Sequence, residues 1–125
     1  MTETIAKIGG VSLGREDHGI FTCMVHLNYG GGSQGAGGYS LDEYSEADKK
    51  RHGTAFGCEW IIRLMDACGV DDFSKLVGRT VLALHEDATS TGQVIGLKPL
   101  PTERGKPFLF RELADEYREG GRHDA

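Results

Sequence analysis

The sequence predicts an α+β domain in which a curled antiparallel β-sheet packs on one central helix, with a second helix at the C-terminus. Three observations carry this. Residues 21–27 alternate apolar and polar positions, as a half-buried strand does. Residues 54–68 carry apolar side chains at helical spacing, and the short apolar runs 79–84 and 93–97 flank a polar stretch in the manner of a hairpin. A chain of 125 residues, 38% hydrophobic and 26% charged, suits one domain with one core. Residues 1–100 are read as that domain, and 101–125 as a C-terminal extension with a short helix and a frayed tail.

Taken in order, Ile5, Ile8, Val11 and Leu13 lie between glycines, which predicts an irregular or bulged opening strand over Thr4–Leu13. From His18 to Asn28 the alternation is clearer. Phe21, Cys23, Val25 and Leu27 face the core, and Thr22, Met24, His26 and Asn28 face solvent or a groove. Glycines then crowd Tyr29–Gly38, which reads as a mobile loop or a wide hairpin, with a short returning strand at Tyr39–Leu41. The alternating charges of Asp42–His52 suggest a surface connection or a helical turn opened by Ser45.

The helix predicted over Thr54–Cys68 has Thr54 as its cap and Gly69 as its stop. Its apolar stripe is Gly57, Ile61, Leu64, Met65 and Cys68, widened by Phe56, Trp60 and Ile62, with Glu59 and Arg63 as an i, i+4 pair. A glycine inside a helix costs up to about 1 kcal/mol relative to alanine, so Gly57 predicts close packing against a strand or the glycine loop. After a turn at Asp71–Lys75 come the strands Arg79–Leu84 and Gln93–Leu97. Pro99, Pro101 and Pro107 delay regular structure until a helix at Phe108–Arg118, striped by Leu109, Leu113 and Tyr117. This order fits a small, partly open barrel of SH3-like or OB-like type.

Composition narrows the function. Fourteen Lys and Arg against 19 Asp and Glu give a net charge of −5, which argues against duplex nucleic acid as a partner. No apolar run reaches a membrane span and Met1–Gly10 lacks a leader pattern, so the expected location is the cytoplasm. Cys23, Cys58 and Cys68 show no paired spacing and are expected as reduced, buried thiols. No cofactor is expected. His18, His26, His52 and His85 with Glu86 and Asp87 could supply metal donors, yet no metal-binding spacing is present. Gly30, Gly32 and Gly35 satisfy a dinucleotide-type glycine pattern, but a strand rather than a helix follows them.

Binding candidates cluster near the glycines. Arg15, Asp17 and His18 sit in a turn before a strand, where functional side chains often lie. Gly32, Ser33 and Gln34 could present backbone amides to an anion, with Arg15 or Arg51 as its counter-charge. Tyr39 and Tyr44 beside Lys49, Lys50 and Arg51 could stack the bases of a single strand, although Asp42, Glu43, Glu46 and Asp48 cancel the positive field.

The segments Ser12–Cys23, Gly35–Asp42, Gly53–Arg63 and Leu76–Val81 together resemble a family of small hypothetical proteins of tailed bacteriophages and prophages, over about Leu13–Leu97. The resemblance implies a small accessory protein inside a host cell, and it assigns no residue a role. The first expectation is thus a non-catalytic binding protein that masks a host protein, such as one of the host's defences. Sequestration of a small anionic nucleotide-type ligand at the glycine-rich loop, with a possible homo-oligomer, and OB-like single-stranded DNA binding are the alternatives.

Overall fold

The first strand, β1 (Thr2–Arg15), is long enough to serve two neighbours. Its second half pairs antiparallel with β2 (Phe21–Asn28), and its first half pairs antiparallel with β6 (Thr80–His85). The register shifts between Ile8 and Gly10, and a bulge there bends the strand so that the sheet can curl. This computed structural model describes residues 1–16, 18–86 and 92–119.

The six-stranded sheet runs β3-β2-β1-β6-β7-β8, with β3 at Ser33–Ser40, β7 at Val94–Lys98 and β8 at Phe108–Leu109. The curl brings β3 against β7, where the Gln34 side-chain amide donates to the Gly92 carbonyl at 3.0 Å. No ladder joins these two strands among the described residues, so the barrel stays open along that seam. The α+β class, with a curled sheet packed on a central helix, is therefore observed.

That helix, α1 (Ala55–Cys68), starts where predicted. Thr54 is its cap, its Oγ1 accepting from Gly57 N at 2.9 Å, and Gly69 ends it at φ 68°. The face turned to the sheet is Gly57, Trp60, Leu64, Ala67 and Cys68, while Ile62, expected on the apolar stripe, is 46% exposed. Trp60 is fully buried, with ring centroids of Phe108 and Phe110 at 5.3 and 5.4 Å. Burying an indole contributes about 4–6 kcal/mol by area, offset by about 1–3 kcal/mol because its Nε1 has no hydrogen-bond partner among the described residues. The C-terminal segment belongs to this core: α2 (Phe110–Glu119) places Phe110 and Leu113 in it, and β8 adds Phe108.

Three expectations are corrected. The glycine stretch is not a wide loop. The chain reverses in two residues, Gly30 and Gly31, closed by Tyr29 N donating to Gly32 O at 2.8 Å, with Gly30 at φ 94°. Gly35, Gly37 and Gly38 lie within β3, where a side chain would crowd a neighbour. A Cβ at Gly37 would lie 2.9 Å from the Trp60 ring and 2.7 Å from the Cys23 carbonyl, and one at Gly35 would lie 2.9 Å from Met24 sulfur. Second, Asp42–His52 is neither a plain connection nor a helical turn. It is a separate hairpin of β4 (Asp42–Ser45) and β5 (Lys50–Gly53). Third, Leu109 lies in β8, one residue before the helix whose stripe it was expected to begin.

Candidate functional site

The residues singled out by sequence fall at two ends of β2. At one end lie Arg15, His18, Tyr44 and Arg51; at the other lie Gly32, Ser33 and Gln34. Eight strand residues separate them, roughly 23 Å at the usual rise. Asp17 and Asp87 lie outside the described residues, as does the tail 120–125.

The first end is organised by Asp42, whose side chain is only 4% exposed. Local pairing puts it there: Leu41 N donates to Phe21 O, and the next residue turns its carboxylate under the start of β2. The Arg51 guanidinium grips it as a fork, Nε to Oδ2 at 2.9 Å and Nη2 to Oδ1 at 2.8 Å. Phe21 N donates to Oδ1 at 3.2 Å and Ser40 Oγ lies 3.3 Å from it. Arg15 Nη1 stands 3.6 Å from Oδ2 and donates to Gly19 O at 3.0 Å. The Arg51 fork is the main reason the Asp42 carboxyl stays below the usual carboxylate range, outweighing the opposing effect of burial.

This network ties three pieces of chain together: the turn that Glu16, Gly19 and Ile20 close, the end of β3, and the β4–β5 hairpin. The turn is closed by Gly19 N donating to Glu16 O at 2.9 Å and by Glu16 N donating to Ile20 O at 2.9 Å. On this frame Arg15 and His18 are 62% and 86% exposed in their side chains, and Tyr44 is 45% exposed. Glu16 is exposed beside them, so both signs of charge meet on this face, while Glu43 and Lys50 alternate onto the other face of the β4–β5 hairpin. Such a face presents an aromatic ring and guanidinium groups held in place by charge-assisted bonds, with Arg15 and Glu16 also lining a shallow open groove of about 500 Å³ along β1.

The other end is built for structure. Gln34 turns inward: its Oε1 accepts from Tyr29 OH at 2.7 Å and lies 3.1 Å from Nε2 of the fully buried His85. No local pattern announces this buried network, because His85 lies 51 positions from Gln34 and still further from Tyr29. Tyr39 is half-buried, with ring centroids of Phe56, Trp60 and Phe110 at 6.0–6.4 Å. It also lines a cleft of about 290 Å³ at the open seam, between Gly37, Ile95, Leu109 and Phe110.

The remaining candidates are dispersed. His26 meets Ser12 at 3.0 Å on the outer face of β2, His52 meets Asp48 at 2.6 Å on the hairpin, and no group of three metal-type donors forms among the described residues. Cys23 and Cys68 are buried as expected, and desolvation raises their thiols to about 11 and about 12. Cys58 differs. It sits on the outer face of α1 and is exposed, because the helix turns Gly57 and Trp60 inward instead. No helix among the described residues is long and apolar enough to cross a membrane. Comparison with protein-family models, with curated proteins and with solved structures finds no match.

Proposed function

We propose that this chain is a non-catalytic binding protein of the tailed-phage type that masks a host protein, with Arg15, His18, Tyr44 and Arg51 at the centre of its contact face. The observation that carries this is the Asp42 anchor. Arginine and tyrosine are the residue types that dominate binding energy at protein interfaces, and here the Asp42 carboxylate and the Gly19 carbonyl fix the two guanidinium groups before any partner arrives. Fixing them in advance lowers the side-chain entropy lost on association, about 0.5–1.5 kcal/mol per immobilised side chain. Charges of both signs on this face favour a protein surface of mixed sign over a nucleic-acid backbone of one sign.

The test is affinity capture from a lysate of a bacterial host, comparing the natural chain with an Arg15→Ala/Tyr44→Ala double variant of equal thermal stability. A specific protein retained by the first and lost by the second supports the reading. Equal retention by both places the contact elsewhere on the molecule.

A further inference from the structure

At the far end of α1 from this face, about 20 Å along the helix axis, the chain forms a second concave surface that the sequence did not announce. It is a groove of about 620 Å³ bounded by the end of α1, the segment 69–75, the start of β6 and the loop 104–106. Its lining carries four cations, Lys75, Arg79, Arg104 and Lys106, against two carboxylates, Asp66 and Asp71. A third, Glu103, approaches Arg79 at 3.7 Å. In a chain of net charge −5, gathering four of 14 basic residues around one groove is a local inversion of the protein's field.

The groove is also preformed. Three of the last four carbonyls of α1, which would otherwise oppose an anion, are occupied: Asp66 O accepts from Gly69 N and Lys106 N, Met65 O accepts from Val70 N, and Cys68 O accepts from Arg79 Nε at 3.1 Å. Tight packing sets the loop against the helix. A Cβ at Gly105 would lie 2.5 Å from Asp66 O, and one at Gly69 would lie 2.6 Å from Arg104 O. Arg79 is thereby held half-buried at the back of the groove, while Lys75 is tied to Asp71 at 2.8 Å at its edge. Arg104 and Lys106 are exposed and have no ion-pair partner among the described residues.

We infer that this groove binds a small phosphorylated ligand carrying two or more negative charges, with the Arg79 guanidinium receiving one phosphoryl group and Arg104 and Lys106 closing on the next. Its volume lies within the usual range for small-ligand sites, roughly 300–1,000 Å³. A guanidinium fork matches phosphoryl oxygens in pairs, and an ammonium adds a movable point charge. A small anion feels chiefly the field within about 10 Å, whereas a long polyanion meets the net negative charge of the whole chain. The observations therefore favour a small ligand over a nucleic-acid strand.

The experiment is isothermal titration calorimetry at low salt, with inorganic tripolyphosphate and ADP as probes. The protein is the natural chain, an Arg104→Glu/Lys106→Glu variant, and an Arg111→Glu control altered at an exposed α2 position outside the groove. The expected result is binding by the natural chain and the control, weakened about tenfold or more in the double variant, with unfolding temperatures unchanged. Equal affinity for the two probes means that the phosphate chain alone is read, and tighter ADP binding means that the nucleoside adds contacts. A single Arg79→Gln variant provides a second reading, because it removes the rear guanidinium and leaves the two exposed cations in place. Absence of binding by either probe, or binding unaffected by both groove variants, overturns the inference. So does a single-stranded oligonucleotide that displaces tripolyphosphate and binds more tightly than either probe.

Discussion

Replacing Gly57 by alanine sets two physical effects against each other with opposite signs. In an isolated helix the change is favourable by about 1 kcal/mol, because alanine restricts the unfolded chain and suits the helix. In this fold a Cβ at position 57 would stand 2.2 Å from the Leu41 carbonyl oxygen and 2.9 Å from Leu41 Cβ. That carbonyl cannot simply move away, because it accepts from Thr54 N at 3.3 Å and Thr54 Oγ1 at 3.0 Å, joining the cap of α1 to the β4–β5 hairpin. Relieving the clash requires α1 to withdraw by about an ångström and strains both bonds. Overpacking of this kind costs about 1–3 kcal/mol, and the two weakened hydrogen bonds add about 1 kcal/mol each. After subtracting the helical gain, Gly57→Ala destabilises the fold by roughly 2–4 kcal/mol. For 125 residues each kcal/mol moves the midpoint by about 4 °C, so circular dichroism should record a fall of about 8–15 °C. A variant as stable as the natural chain, or more stable, would refute the claim that α1 is seated directly on Leu41.

Further outcomes follow from the same contacts. The Arg51 fork lowers the Asp42 carboxyl, so the stabilisation it supplies is fully present above the ordinary aspartate range and is lost as pH falls through and below that range. Acid titration of an Asp42→Asn variant should therefore show a shallower loss of stability below about pH 4 than the natural chain does. A thiol-specific reagent should modify Cys58 in the native protein, and should reach Cys23 and Cys68 only on unfolding, because both are buried with raised thiols. Phe110→Ala should cost about 3–5 kcal/mol by urea titration, because it removes a ring that packs on Trp60, Phe108 and Tyr39.

What was legible in the sequence was whatever is decided locally. The bounds of α1 are written in Thr54 and Gly69 and in an apolar period that no neighbour has to supply. The core face of β2 is likewise written in the alternation of Cys23, Val25 and Leu27. The glycine-rich strand was illegible for the converse reason. Gly35, Gly37 and Gly38 have no side chains to alternate, and their strand exists because β2 pairs with it and because Met24 and Trp60 occupy the space a side chain would fill. The β4–β5 hairpin was hidden because neither of its strands buries an alternating apolar face, so its charges read as a solvated connection. Of the candidate residues, Arg15, His18, Tyr44 and Arg51 were grouped with the glycine loop, which the fold places at the other end of β2, and Asp42 was counted only as charge that cancels. Its role depends on a pairing between residues 21 and 41 that no local pattern encodes. The cationic groove went unseen because Lys75, Arg79, Arg104 and Lys106 come from segments that meet only when Gly105 packs on the end of α1.

The most direct test of the account is the paired capture experiment on the Asp42-anchored face, in which Arg15→Ala/Tyr44→Ala and the natural chain are matched for folding by circular dichroism. The two changes lie at exposed positions, so the unfolding midpoint should move by no more than about 2 °C. The account predicts that the natural chain retains a specific host protein and that the folded double variant does not. Retention of the same protein by both would contradict it.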